Sequence, residues 1–187
     1  MKIALKKCDQ FIELMNQEDW KETLNDRKNK LMIWTRPGQN GNNSVKCRGP
    51  VNFPPEIIFK VIGDSKYRKT YDKNYDSGHF LMKVGAQTYI FYQKTAKIMI
   101  VSARDFIVLL TMNQLEDGSL LLVVASVDKN EMMPETKGVV RGFLEIGGWL
   151  LKPIEDGTKT ECTYLTEVDL KGSIPSSVTN MANKMMG

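Results

Sequence analysis

From residue 79 to residue 169 the chain follows a period of two. Segments at about 79–85, 88–95, 105–113, 119–127, 138–146 and 160–169 are rich in Val, Ile, Leu, Phe and Tyr, with polar or glycine-containing turns between them. Glu116-Asp117-Gly118 and Glu155-Asp156-Gly157 read as hairpin turns, because Asp-Gly supplies the backbone angles that a tight reversal needs. Hairpins join antiparallel neighbours. Such a succession commits this part of the chain to a largely antiparallel sheet.

Helices flank the sheet in the sequence. The spacing of Phe11, Leu14, Met15, Trp20 and Leu24 predicts a first helix over 8–24, closed by Asn25 and Asp26. Two short strands, 31–35 and 44–48, follow around the turn-rich loop 37–43. Pro54 and Pro55 open a second helix in which Ile57, Ile58, Val61 and Ile62 repeat at helical spacing. A last helix begins near Pro175 and presents Val178, Met181, Ala182 and Met185 on one face. This order predicts an α+β architecture. With no internal repeat or linker, residues 1–187 read as a single domain.

Composition narrows the function classes. With 42% hydrophobic and 26% charged residues, the 187-residue chain is neither disordered nor built of membrane spans. The net charge of +4 is spread out, without a basic stripe interleaved with aromatics, so no nucleic-acid partner is expected. Scattered lysines favour a mild attraction to anionic membranes, at roughly 1 kcal/mol each. Cys8, Cys47 and Cys162 are odd in number and far apart, which points to a reducing compartment and away from a disulfide framework or zinc site. The charged N-terminus lacks a signal-peptide pattern. A cytoplasmic protein with peripheral membrane contact is expected.

Catalysis finds little support. The zincin, nucleophile-elbow, Cys-x-x-Cys and phosphate-loop motifs do not occur, so no catalytic residue, metal or cofactor is expected. His79, the single histidine, follows Asp76-Ser77-Gly78 and reads as a solvated turn residue. Glu161 and Glu167 read as outward strand charges.

Five signatures punctuate the strands. They are Trp20 with Val45-Lys46-Cys47-Arg48-Gly49, Arg68-Lys69-Thr70-Tyr71-Asp72, Arg104-Asp105-Phe106, Gly138-Val139-Val140-Arg141-Gly142, and Asp169 with Gly172 and Pro175. In order and spacing they resemble the START (steroidogenic acute regulatory protein-related lipid transfer) domain family, with Tyr71 where its Arg-x-x-Trp-Asp element has Trp. The resemblance covers nearly the whole chain. It implies a helix-grip fold: a curved antiparallel sheet wrapped around a C-terminal helix, enclosing a cavity for one lipid. It also implies binding and transfer of a phospholipid, sterol or related lipid by a monomer, with transient membrane contact. The family's sterol and phosphatidylcholine carriers place an arginine six residues after the Arg of Arg-Asp-Phe, and some pair it with an acid on the preceding strand. Here those positions are Leu110 and approximately Phe91, so a more neutral cavity is expected. The last helix ends sooner than the family's, so the chain reads as clipped there.

The signature residues themselves read as structural: Arg104 and Asp105 as an ion pair or turn contact, Gly142, Gly147 and Gly148 as strand bends, and Ser173 as a helix cap. Ligand-facing residues follow instead from strand alternation. One face of 105–113 is Phe106, Val108, Leu110 and Met112; the same parity in 88–95 is Tyr89, Phe91 and Gln93; in 160–169 the more apolar face is Cys162, Tyr164, Thr166 and Val168. Both parities of 119–127 are apolar, so that strand cannot be phased. Tyr89, Phe91, Phe106, Val108, Leu110, Met112, Tyr164, Val178, Met181 and Met185 are the expected lipid contacts, and Ile98, Met99 and Ile100 the expected membrane-facing gate. Three alternatives stay open. The faces could fill a solid core, the domain could be a lipid-sensing regulatory module, or it could be a cyclase- or hydrolase-like helix-grip enzyme using Tyr89, Tyr164 or Glu167.

Overall fold

A computed structural model describes residues 2–38, 43–97 and 101–172. The chain runs α1 (Lys2–Asn16), β1 (Lys21–Asp26), β2 (Leu31–Pro37), β3 (Asn43–Val51), α2 (Pro55–Gly63), α3 (Ser65–Tyr71), β4 (Tyr75–Gly85), β5 (Thr88–Thr95), β6 (Ala103–Gln114), β7 (Leu120–Ser126), β8 (Val139–Arg141), β9 (Phe143–Ile154) and β10 (Lys159–Asp169). The strands form one curved sheet in the order β1-β2-β3-β10-β9-β7-β6-β5-β4. Every pair is antiparallel except β8, which runs parallel to β6. The architecture is α+β, as the strand periods and turn signals require.

Alternation gives the sheet two unlike faces. On one, Leu121, Val123, Ile146 and Leu165 bury against Cys8, Phe11, Leu14 and Met15 of α1, and Ile90, Tyr92, Ile107 and Leu109 cluster with Ala4. Each large apolar side chain so covered contributes about 1.5–3 kcal/mol. On the other face, Phe91, Phe106, Val108, Leu110 and Leu144 gather with Tyr89, Met112, Val124 and Val168. The residues of β7, ambiguous in sequence, divide between the two faces: Leu121 and Val123 toward α1, Leu122 and Val124 toward the second face.

Several boundaries differ from the sequence expectation. The first helix occupies 2–16, not 8–24. The lysine-, alanine- and leucine-rich start suits a helix, and Ala4 is buried. Trp20 caps that helix from outside: its indole Nε1 donates to the Leu14 carbonyl at 3.0 Å, one of the orphan acceptors at a helix end. Leu24 belongs to β1. Helix α3 was not signalled by periodicity, because none of its residues is buried. The readable sign was Asp64, whose side chain accepts from the Lys66 amide as an N-cap. The segment expected as one strand over 138–146 is two, β8 and β9, broken at Gly142, where a Cβ would run into the Phe106 ring. His79 lies exposed on β4 rather than in a turn, its ring centroid 5.4 Å from that of Tyr92.

Gly148 pairs with Val123 across β7 and β9, and a Cβ there would overlap the backbone carbonyl of Leu122. Alanine would have to force two central strands apart. Gly148→Ala should therefore lower stability by about 1–3 kcal/mol, read as an earlier urea midpoint at unchanged slope. An unmoved midpoint would mean that the β7–β9 contact is looser than its geometry.

Candidate functional site

A cavity of about 690 Å³ opens on the sheet face opposite α1. Phe91, Phe106, Leu110, Leu122, Val124, Leu144 and Val168 supply an apolar wall, and Ile62 adds the inner side of α2. Gly147, Gly148 and Trp149 line it along β9, with the Trp149 ring 4.8 Å from that of Tyr164. Several of the polar lining groups meet at Arg68. Arg68 of α3 donates from Nη1 to Gln93 Oε1 at 2.6 Å and from Nε to Asp72 Oδ2 at 3.3 Å. Its guanidinium also lies 4.9 Å from the Tyr75 ring centroid. Burial pushes the hydroxyls of Tyr71 and Tyr164 above the ordinary tyrosine range, so these groups stay neutral near pH 7 and act as hydrogen-bonding rather than ionic groups.

Among the sequence-predicted contacts, Phe91, Phe106, Leu110 and Tyr164 line this cavity. Tyr89, Val108 and Met112 pack in the cluster on the same sheet face. Val178, Met181 and Met185, the helix near Pro175 and the gate residues Ile98, Met99 and Ile100 lie outside the described residues. Reasoning from strands alone missed the α3 contribution. In the sequence Arg68 and Asp72 stand out only as part of a signature, although charged residues spaced four apart on a helix share a face.

Two expectations need correction. The expectation of a more neutral cavity holds at Leu110 and Phe91 but not for the whole lining, which includes Arg68, Asp72 and Lys73. Glu167 is not an outward strand charge; it is only 4% exposed and accepts the Ser44 hydroxyl at 2.7 Å. It lies on the α1 side, beside Glu13, Arg36 and Glu145 in a small cleft. Glu167 and Tyr164 therefore face opposite sides of β10, and the enzyme reading loses the joint action of its carboxylate and its cavity tyrosine.

The START domain family model matches residues 9–186. The chain belongs to the START domain family. It is 30% identical over 182 residues to the steroidogenic acute regulatory protein of Xenopus laevis, an alignment spanning 95% of this chain and 62% of that protein. It is 28% identical over 142 residues to StAR-related lipid transfer protein 5 of Bos taurus, spanning 73% of this chain and 66% of that one. The chain thus spans about six-tenths of the length of the steroidogenic acute regulatory proteins it matches. In fold, human StAR-related lipid transfer protein 5 superposes with a TM-score of 0.87 over 96% of this chain and 86% of that one, at 20% identity. No helix among the described residues is long and apolar enough to cross a membrane.

The START signatures of this chain support the cavity from behind. Asp105 is 1% exposed and receives Arg141 Nε at 2.7 Å, Arg141 Nη2 at 3.1 Å and the Tyr92 hydroxyl at 3.2 Å. Arg141 reaches on to the Met133 carbonyl at 2.9 Å. Arg104 forms no pair with its neighbour Asp105. Its guanidinium donates to the carbonyls of Ser102, Leu170 and Lys171 at 2.7, 3.2 and 3.2 Å. It ties the chain entering β6 to the chain leaving β10, while the next side chain but one, Phe106, faces the cavity.

Proposed function

We propose that this START domain takes up one hydrophobic lipid, a phospholipid, sterol or related molecule, and carries it between membranes. The observation that carries the reading is the cavity: about 690 Å³, with an apolar wall and with Arg68, Gln93 and Asp72 joined by hydrogen bonds in its lining. Small-molecule sites run from about 300 to 1,000 Å³ and are mostly apolar with a few placed polar groups. The apolar wall would take the hydrocarbon, and Arg68 and Gln93 would meet the polar end of the ligand. The kinship with lipid-transfer proteins supports the same reading.

Native mass spectrometry with lipid extraction tests it. A single lipid per chain and movement of labelled lipid between vesicles are expected; a protein that stays empty when offered lipids of each class would overturn the reading. A substitution probes the wall. Leu110 is 7% exposed and lines the cavity, and the acid sharing that lining, Asp72, is already engaged by Arg68. In Leu110→Arg the new cation is buried unpaired, at about 3 kcal/mol. A lower melting temperature or a narrowed lipid profile is the expected result, and wild-type behaviour in both would place the ligand elsewhere.

A further inference from the structure

Helix α2 has two unlike sides. Ile62 points inward to line the cavity, and Gly63 lies 3.7 Å, measured from an added Cβ, from the Met112 sulfur. The outer side carries Ile57, 51% exposed, and Phe53, just before the helix, is 57% exposed. Val51, at the end of β3, extends the same apolar run at 37% exposed. Phe53 is not on a loose tip. Its carbonyl accepts the Thr160 hydroxyl at 2.7 Å, so the backbone is held to β10 while the ring stands in water.

Between Glu56 and Lys73 basic residues outnumber acids, five to three. Lys60 shares the exposed side of α2, and Lys69 and Lys73 are exposed on and just after α3. None of the three has an ion pair among the described residues. The acids nearby are mostly spent: Asp64 pairs with Lys66 at 3.1 Å and Asp72 with Arg68 at 3.3 Å, which leaves Glu56 on the outer side of α2. Tyr71, 43% exposed, lines the cavity, and its hydroxyl donates to the Ile62 carbonyl of α2 at 3.5 Å. Exposed apolar side chains rimmed by unpaired lysines are what an anionic bilayer recognises: rings and branched chains enter the interface while the ammonium groups meet headgroups.

We propose that the Val51–Phe53–Ile57 patch, with Lys60 and Lys69, is the surface by which this domain docks on an anionic membrane. Docking there sets the outer side of α2 in the interface. The cavity wall that Ile62 supplies would then lie one helix thickness from the lipid. The inference rests on the carrier reading for its purpose, and its test is separable from that reading.

Flotation of the whole chain with vesicles of phosphatidylcholine containing phosphatidylserine, against vesicles of phosphatidylcholine alone, is the direct measurement. Wild type should float with the anionic vesicles. Phe53→Ser with Ile57→Ser should weaken partitioning about tenfold or more, since both side chains are exposed and the fold does not depend on them. Lys60→Ala with Lys69→Ala should weaken it by roughly fivefold per lysine on anionic vesicles and little on neutral ones. Wild-type partitioning by the apolar double variant would overturn the proposal. So would a wild-type protein that ignores both vesicle types, including one that instead self-associates through this patch. If the carrier reading alone were wrong, the cavity would stay empty while partitioning still followed these substitutions.

Discussion

Asp105→Ala should unfold this protein at a markedly lower temperature than any surface substitution. The carboxylate is all but fully buried and accepts three hydrogen bonds, two from Arg141 and one from Tyr92. Removing it leaves a guanidinium whose side chain is 14% exposed without its counter-charge, and a buried phenol without its acceptor. Breaking one side of a buried pair costs about 3–5 kcal/mol. For a chain of this size that is on the order of 10 °C in melting temperature. A loss below about 1 kcal/mol would show that Arg141 finds water or another acceptor without difficulty. The same cluster predicts an alkaline limit. Burial, and then the charge of Asp105, push the Tyr92 hydroxyl up to about 12. The folded state thus favours the neutral phenol, whereas an unfolded tyrosine ionises near pH 10. Stability from this group is full below pH 10 and is lost as pH rises from there toward 12. Tyr92→Phe should flatten that part of the stability–pH curve, and an unchanged slope would assign the loss to other groups.

Arg104→Ala should be comparably damaging, for a different reason. Arg104 is 4% exposed and makes no ion pair among the described residues; its donors serve three backbone carbonyls. Alanine leaves those acceptors without their charged donor and opens a void at the start of β6. Hydrogen bonds from a charged group contribute about 1.5–3 kcal/mol each, so a loss of at least about 3 kcal/mol is expected. Arg104→Lys should recover only part, since one ammonium lacks the planar fork that spans Ser102 and the Leu170–Lys171 pair. Full recovery by lysine in urea unfolding would mean that charge alone, rather than the fork, holds these two segments together. Hydrogen exchange offers a second readout: amides around 101–104 and 169–172 should lose protection before the central strands do.

Much of this fold was legible from the chain alone, and particular residues show why. Phe106, Val108 and Leu110 alternate with Asp105, Ile107 and Leu109, and a strand has no way to present neighbouring residues to one face. The parity that groups Phe91 with Phe106 and Leu110 is therefore contained in the sequence, as are the turns at Gly118 and Gly157, whose φ angles are +83° and +80°. The five START signatures were legible as well, because they are short sequence patterns whose order and spacing are read along the chain. Trp20 shows the limit of that reading. Its spacing suits a helix, yet the ring caps α1 from outside and takes the Lys46 ammonium 4.6 Å from its centroid. The Lys46 ammonium lies as well 5.2 Å from Trp34, and Arg36 and Arg48 stack on the same two rings. Strand pairing, not sequence proximity, assembles that basic and aromatic ladder.

Local pattern, then, determined what alternation and turn chemistry control: an antiparallel sheet with two apolar faces, the approximate strand positions, and membership of a family. Only the tertiary structure decided which face is solid and which is hollow. Helix α1 fills one side with Phe11 and Leu14, whereas α2 and α3 stand over the other and leave about 690 Å³. It also decided which charges are structural. Asp105 meets Tyr92 and Arg141 from 13 and 36 residues away, Glu167 meets Ser44 from 123 residues away, and Arg68 meets Gln93 from 25. A side chain's period is set by its own backbone, but its partner is set by loop closure and sheet order. Those are properties of the whole chain, and no window of sequence contains them.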